Sequence, residues 1–135
     1  MKLVSRLDIL LNNAGIVAVL AGMTKDSYEI QFGTNHLGHA LLMLAKTAQV
    51  LDADVRAVTL SSAALSRTPT GGIKFDVLKT AVEEDNRVSK YGQSKLANVL
   101  HSNGIARRYP TITAVAVHPG TVDTGLSKPI RDSHR

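Results

Sequence analysis

Two patterns of apolar positions alternate along the chain. Short unbroken apolar runs are stopped by small or polar residues, and longer stretches carry apolar residues at helical spacing. "LDILL", residues 7–11, runs into "NNAG" and reads as a buried strand ending in a glycine turn. "VRAVTL", residues 55–60, is rich in β-branched residues and ends at "SS", so it predicts a second strand. "TITAVAVH", residues 111–118, predicts a third, stopped by Pro119 and Gly120. A helix is expected after the first strand, capped by Thr24 or Asp26, with Glu29 early in it where the dipole favours an anion. It carries Ile30, Leu37, Leu41, Leu42 and Leu44 at roughly helical spacing and is expected to run to about Val50, with Gly33 and Gly38 weakening or kinking it. A second helix is expected over residues 90–108. Ser89 would cap it, Leu96, Val99, Leu100 and Ile105 would point inward, and Arg107 and Arg108 would sit at the end the dipole prefers. Residues 63–86 are polar and broken by Pro69, Gly71 and Gly72, which predicts a loop with one helical turn near 75–83.

The order is therefore β-α-β-α-β. Apolar strands joined by long helices imply an α/β fold with a parallel sheet and right-handed crossovers. The sequence shows no repeat, low-complexity run or linker, so residues 1–135 are expected to form one domain, with the patternless 126–135 as a flexible tail. Aromatic residues make up 4% with no tryptophan, which removes stacking platforms for single-stranded nucleic acid. The net charge is +5, but the basic residues are scattered apart from a small cluster at 128–135, and no nucleic-acid partner is expected. No cysteine is present, which excludes disulfides, thiolate metal sites and a cysteine nucleophile. No long apolar segment follows the charged residues 1–6, and no run approaches the roughly 20 residues of a membrane span. A cytoplasmic protein without a membrane span is the expectation.

Tyr91 and Lys95 lie at i and i+4, on one face of the second helix. A free tyrosine titrates near 10, and a nearby ammonium stabilises the phenolate and lowers that value. Such a pair suits general acid or base work on a carbonyl or alcohol. On spacing alone the motif is weak, and the favoured reading is a tyrosine packed on a lysine stem. Ligands of a parallel α/β sheet bind beyond the carboxyl ends of the strands. Three distinctive segments fall there, "NNAG" at 12–15, "SS" at 61–62 and "HPGTVDT" at 118–124, and the first helix holds "NHLGH" at 35–39. His36, His39 and His118 read as packing or surface residues, because no carboxylate or cysteine shares their spacing, and no metal site is expected.

"LDILLNNAG", "YEIQFGTNHLGHALL", "VTLSS", "YGQSKLANVL" and "VAVHPGTVDT" resemble, in order, the motifs of the short-chain dehydrogenase/reductase family. "QFGTNHLGH" and "YGQSKLAN" are most similar to its retinol-dehydrogenase-like and fungal members. The resemblance implies a Rossmann-like doubly wound sheet and an NAD(P)-dependent oxidoreductase working on a small carbonyl or alcohol. It implies that Tyr91 exchanges a proton with the substrate oxygen and that Lys95 lowers the Tyr91 pKa and bonds the nicotinamide ribose. Ser62 would orient the substrate carbonyl and hold Tyr91, and Asn35 would join a water-linked relay through Lys95. Asn13 would line the cofactor cleft and support the sheet, while Val122, through its backbone, and Thr124 would hold the nicotinamide carboxamide. The cofactor is expected to be NADP, with NAD as the alternative, and the two long helices are expected to pair with a second copy or a relative.

The sequence also departs from the family pattern. The family opens on a Thr-Gly-x-x-x-Gly-x-Gly loop for the cofactor pyrophosphate, and none of the ten glycines here has that spacing. "NNAG" normally ends the fourth strand, yet here it begins at residue 12, and the family's segment after "PGTVDT" is not matched. The expectation is a part of the fold truncated at both ends, with "LDILL" on an apolar open edge. Without the loop, several charge-assisted hydrogen bonds of roughly 1.5–3 kcal/mol each are forfeited, so weak cofactor binding is expected. The alternative function is a catalytically inactive piece that binds a full-length relative through its long helices.

Overall fold

The computed structural model describes residues 7–47, 55–80, 87–122 and 125–127. Its centre is a parallel three-stranded sheet in the order β1 (Ile9–Asn12), β2 (Val55–Leu60), β3 (Ile112–Val117). Leu10 stands opposite Ala57, and Ala57 opposite Ala114. β2 and β3 fall within the runs that predict them, and β1 starts two residues into its run and ends one residue past it, at Asn12.

The first crossover is one helical segment in three parts: α1 (Ile30–Phe32), a π-helical turn (Gly33–Leu37) and α2 (Gly38–Thr47). The disturbance expected at Gly33 and Gly38 is this π turn, closed by Gly38 N donating to Gly33 O. The cap differs from expectation. Glu29 takes that place, its carboxylate accepting from Phe32 N at 2.7 Å. Thr24 instead closes the turn ahead of the helix by accepting from Tyr28 N, and Asp26 is exposed in that turn. The expected end near Val50 lies outside the described residues. The second crossover ends in α3 (Arg87–Arg108), which begins ahead of Ser89, so Ser89 is a buried helical residue and not a cap. The loop between holds 3₁₀ turns at Ala63–Arg67 and Phe75–Val77. Of the expected tail, Leu126 and Ser127 belong to a 3₁₀ turn, Gly125–Ser127, and the rest lies outside the described residues.

Strand alternation decides what is buried. Ala57 and Ile112 pack with Met43 of α2 and Ile105 of α3, flanked by Leu10, Tyr109 and Ala114. A second cluster, Phe32, Leu78 and Ala97, pins the 3₁₀ loop and α3 to α1. The alternate residues Ile9, Leu11, Val115 and Val117 are exposed, so the other face of the sheet is open among the described residues. Among the described residues β1 is an edge strand of the sheet, with Ile9 and Leu11 exposed. Of the residues expected to point inward from α3, Ile105 is buried but Leu100 is exposed; Leu41 and Leu42 of α2 are exposed as well.

Candidate active site

The three strands deliver their carboxyl ends to one cleft of about 500 Å³, whose lining includes Asn13, Gly15, Ser62, Tyr91 and Lys95. His118, Val122 and Leu126 complete it from the segment after β3. The volume lies within the range of small-molecule sites.

Helix α3 supplies the central pair. Tyr91 and Lys95 stand one turn apart, with the Lys95 Nζ 5.3 Å from the centre of the Tyr91 ring. That Nζ donates to the carbonyl oxygen of Leu60, the last residue of β2, at 2.9 Å. Ser61 ties the same strand end to the helix by donating to the Lys95 carbonyl at 2.9 Å. Ser62 caps the 3₁₀ turn over Ala63–Arg67, its Oγ accepting from Ala64 N at 3.2 Å, and its side chain also bonds the Tyr91 hydroxyl. The turn can approach because residue 92 is glycine: a Cβ there would lie 2.5 Å from the Ala64 carbonyl oxygen.

The π turn places Asn35, which is fully buried, behind the "NNAG" loop. Its Oδ1 accepts from Ile16 N at 2.8 Å, and its Nδ2 donates to Ile16 O at 2.9 Å and to Ser94 Oγ at 3.0 Å. The amide thus clamps the loop to α3. A Cβ on Gly15 would sit 3.2 Å from that Oδ1 and 3.8 Å from the Lys95 Nζ, so the loop passes closely between the two.

Burial sets the protonation. It lowers the Lys95 ammonium from 10.5 to about 8. It pushes the Tyr91 hydroxyl above its usual 10, with the Ser62 hydrogen bond opposing. The expected lowering of Tyr91 by Lys95 is therefore not found in this structure: burial raises it, and the opposing influence comes from Ser62. His36, His39 and His101 are all held below the usual histidine value, chiefly by burial, and the positive charge of Lys95 adds to the effect on His39.

Ser62, Tyr91, Lys95, Asn13 and Val122 meet around the cleft as the sequence suggests. Asn35 stands one layer behind it, and Thr124 lies outside the described residues. The sheet-supporting role expected of Asn13 falls to Asn12, whose Nδ2 donates to Thr59 Oγ1 at 3.1 Å while its buried Oδ1 has no partner. Sequence reasoning missed Ser94 and Asn98. The signal was their polarity at three and seven residues past Tyr91, on the helical face that carries Lys95. It also set His118 aside, which lines the cleft.

No family model matches the chain. Among curated proteins it is 41% identical over 133 residues to the chloroplastic short-chain dehydrogenase TIC 32 A of Brassica napus, covering 89% of this chain and 40% of that one. It is 41% identical over 130 residues to retinol dehydrogenase 13 of Homo sapiens, covering 91% and 37%. Among solved structures, a protein from Mycobacterium paratuberculosis superposes with a TM-score of 0.78 at 38% identity, over 93% of this chain and 46% of that one. A blue fluorescent protein from a metagenomic library, solved with NADPH, superposes with a TM-score of 0.62 at 30% identity, over 88% and 43%. The chain spans about 40% of the length of the curated relatives it matches. Over that span sequence and fold agree, and the chain belongs to the short-chain dehydrogenase/reductase family.

Proposed function

We propose that this chain carries the proton-transfer and nicotinamide-binding part of an NAD(P)-dependent oxidoreductase that interconverts a small carbonyl compound and its alcohol. The observation that carries the reading is the meeting of the Tyr91 hydroxyl, the Ser62 hydroxyl and the Lys95 ammonium on one cleft at the carboxyl ends of the strands. The residues fit the nicotinamide end of the cofactor. The Lys95 ammonium has three donors, one of them on Leu60 O, which suits a sugar diol, and the close passage at Gly15 leaves a surface of bare backbone beside it. Val122 and Thr124 would hold the carboxamide, and Asn13 would line the cleft. When bound, the cofactor supplies the hydride, which no side chain can.

The chain's own part is the proton. With its pKa above 10, Tyr91 is protonated at neutral pH, so carbonyl reduction finds it ready to donate. Its O–H delivers the proton to the substrate oxygen, Ser62 holds that oxygen and the tyrosine in line, and the nearby ammonium favours the phenolate left behind. Asn35 acts at one remove, by fixing the loop that floors the cleft. NADP is the proposed cofactor, in keeping with the NADPH held by the metagenomic neighbour, with NAD as the alternative.

The test is turnover of an aldehyde and ketone panel with NADPH. Tyr91→Phe is expected to lower the rate by about 10²-fold or more, the usual worth of a general acid. Undiminished turnover by Tyr91→Phe contradicts the reading.

A second reading is favoured by the exposed Leu41, Leu42 and Leu100 on the two long helices. In it the chain has no turnover of its own and docks through those helices on a second copy or a full-length relative. Sedimentation with and without a relative, repeated on a Leu41→Glu, Leu100→Glu variant, tests it; a wild-type chain that stays monomeric with both contradicts it. Among the described residues no helix is long and apolar enough to cross a membrane. A cytoplasmic location belongs to the proposal, whereas the name of the Brassica napus relative places that protein in the chloroplast.

A further inference from the structure

Behind the cleft, a single buried amide joins α3, which carries Lys95, to the end of β2 and to the π turn. Asn98 lies one turn beyond Lys95 on α3 and is 1% exposed. One of its bonds runs from Nδ2 to the Leu60 carbonyl at the end of β2, at 3.0 Å. That oxygen also receives the Lys95 Nζ at 2.9 Å, so both of its lone pairs are engaged. The other bond runs from Nδ2 to the carbonyl of Asn35 inside the π turn, at 3.0 Å. The Asn98 Oδ1 faces His36 Nδ1 at 3.0 Å. An amide oxygen can only accept, so His36 must carry its proton on Nδ1. The orientation of the amide is fixed by its two carbonyl partners, because the flipped form would set Oδ1 against two carbonyl oxygens.

We propose that Asn98 is the positioning residue for Lys95: it anchors the Leu60 carbonyl to which the ammonium is tied, and His36 anchors Asn98. The importance of this for catalysis rests on the reading given under Proposed function, but the contacts do not. Among the described residues, the titratable groups that face the ammonium are Tyr91, over whose ring it stands, and His39, which feels its charge. Neither is altered by replacing Asn98. Removing the Asn98 side chain opens a hole lined by two carbonyl oxygens and an imidazole N–H. Such a polar hole takes up water, and that water would solvate the ammonium and relieve the burial that now holds it low.

The experiment is a pH titration of the chain carrying ¹³C-labelled lysine, followed by NMR, with Lys95 assigned by its loss in Lys95→Met. Lys95 in the wild type is expected to titrate near 8. In Asn98→Ala its midpoint is expected to rise toward 10.5 by about one unit or more. His36→Phe is expected to move it the same way by less, and His36→Gln, which can still donate to Asn98, to restore it. Leu78→Ala, a cavity in the second cluster, serves as the control that lowers stability without moving Lys95. An unmoved Lys95 in folded Asn98→Ala overturns the proposal. If that variant gives no folded spectrum, an unmoved Lys95 in His36→Phe overturns it. The titration needs neither cofactor nor turnover. A chain that shows the shift but binds no NADPH therefore sinks the oxidoreductase reading and leaves the positioning role standing.

Discussion

The helix-covered side of the sheet and its open side follow opposite rules. On the covered side the largest fully buried side chains are Gln31, Asn35, Ser94 and Asn98, all polar. On the open side and the outer helix faces, Ile9, Leu11 and Leu41 are 59%, 57% and 70% exposed. Buried amides are costly unless their polar groups find partners. Those of Gln31, Asn35 and Asn98 do, whereas the Oδ1 of Asn12 is left without one. Gln31 accepts from Ala18 N at 2.9 Å and donates to Arg87 O at 3.0 Å, while Asn35 and Asn98 close the network around the cleft. Hydrogen bonds of this kind fix position more than they add stability. The interior of this chain is specified for the geometry of one cleft, and much of its aliphatic surface contributes nothing to burial. A polar truncation inside should therefore cost more than a polar substitution of an exposed leucine.

The largest effect is expected at Asn35. Asn35→Ala strands the backbone N–H and C=O of Ile16 and removes a partner of Ser94, at about 1–3 kcal/mol for each group left unsatisfied. Urea unfolding should show a loss of about 3 kcal/mol or more. Gly92→Ala comes next. Its Cβ would meet the Ala64 carbonyl at 2.5 Å, and the strain should cost about 1–3 kcal/mol and push Ser62 away from Tyr91. The companion measurement is turnover, which should fall by more than stability alone explains.

Lys95→Met should act in the opposite direction. The folded-state value of Lys95, about 8, lies below the unfolded 10.5, so the unfolded chain binds more protons between them. Stability is therefore expected to rise as pH increases from 8 toward 10.5. Above 10 the trend is opposed by Tyr91, which keeps its proton when folded while the unfolded chain ionises. Thermal melts between pH 7.5 and 9.5 should rise with pH in the wild type and stay flat in Lys95→Met. The variant should also melt higher at pH 7. The smallest effect is expected on the open face, where Leu11→Ser and Leu41→Ser should stay within about 0.5 kcal/mol of wild type. A larger loss there than at Asn35 would break the contrast between the two sides.

The strands were legible because a buried parallel strand is a short apolar run with clear stops, and 55–60 matches β2 residue for residue. The helix faces were less so. Hydrophobic periodicity assumes an apolar inward stripe, whereas α3 turns Tyr91, Ser94, Lys95, Asn98 and Ser102 inward. Leu100 consequently fell on the wrong side. The caps were ambiguous because Thr24, Asp26 and Ser89 are all good capping types, and the carboxylate that does cap, Glu29, is a less favoured one. Tyr91, Lys95 and Ser62 could be named through the family resemblance. Asn98 could not, because its role arises from contacts with Leu60, Asn35 and His36 that lie far from it in sequence.

Tyr91 and Lys95 are proposed to hold the nicotinamide end of a cofactor. The most direct test is calorimetric titration of the wild-type chain and Lys95→Met with NADPH and with reduced nicotinamide mononucleotide. The wild type is expected to bind both weakly and saturably, within about tenfold of each other since the cleft serves the part they share, and Lys95→Met to lose both. A folded chain that binds neither, or that binds both unchanged after Lys95→Met, would contradict this proposal.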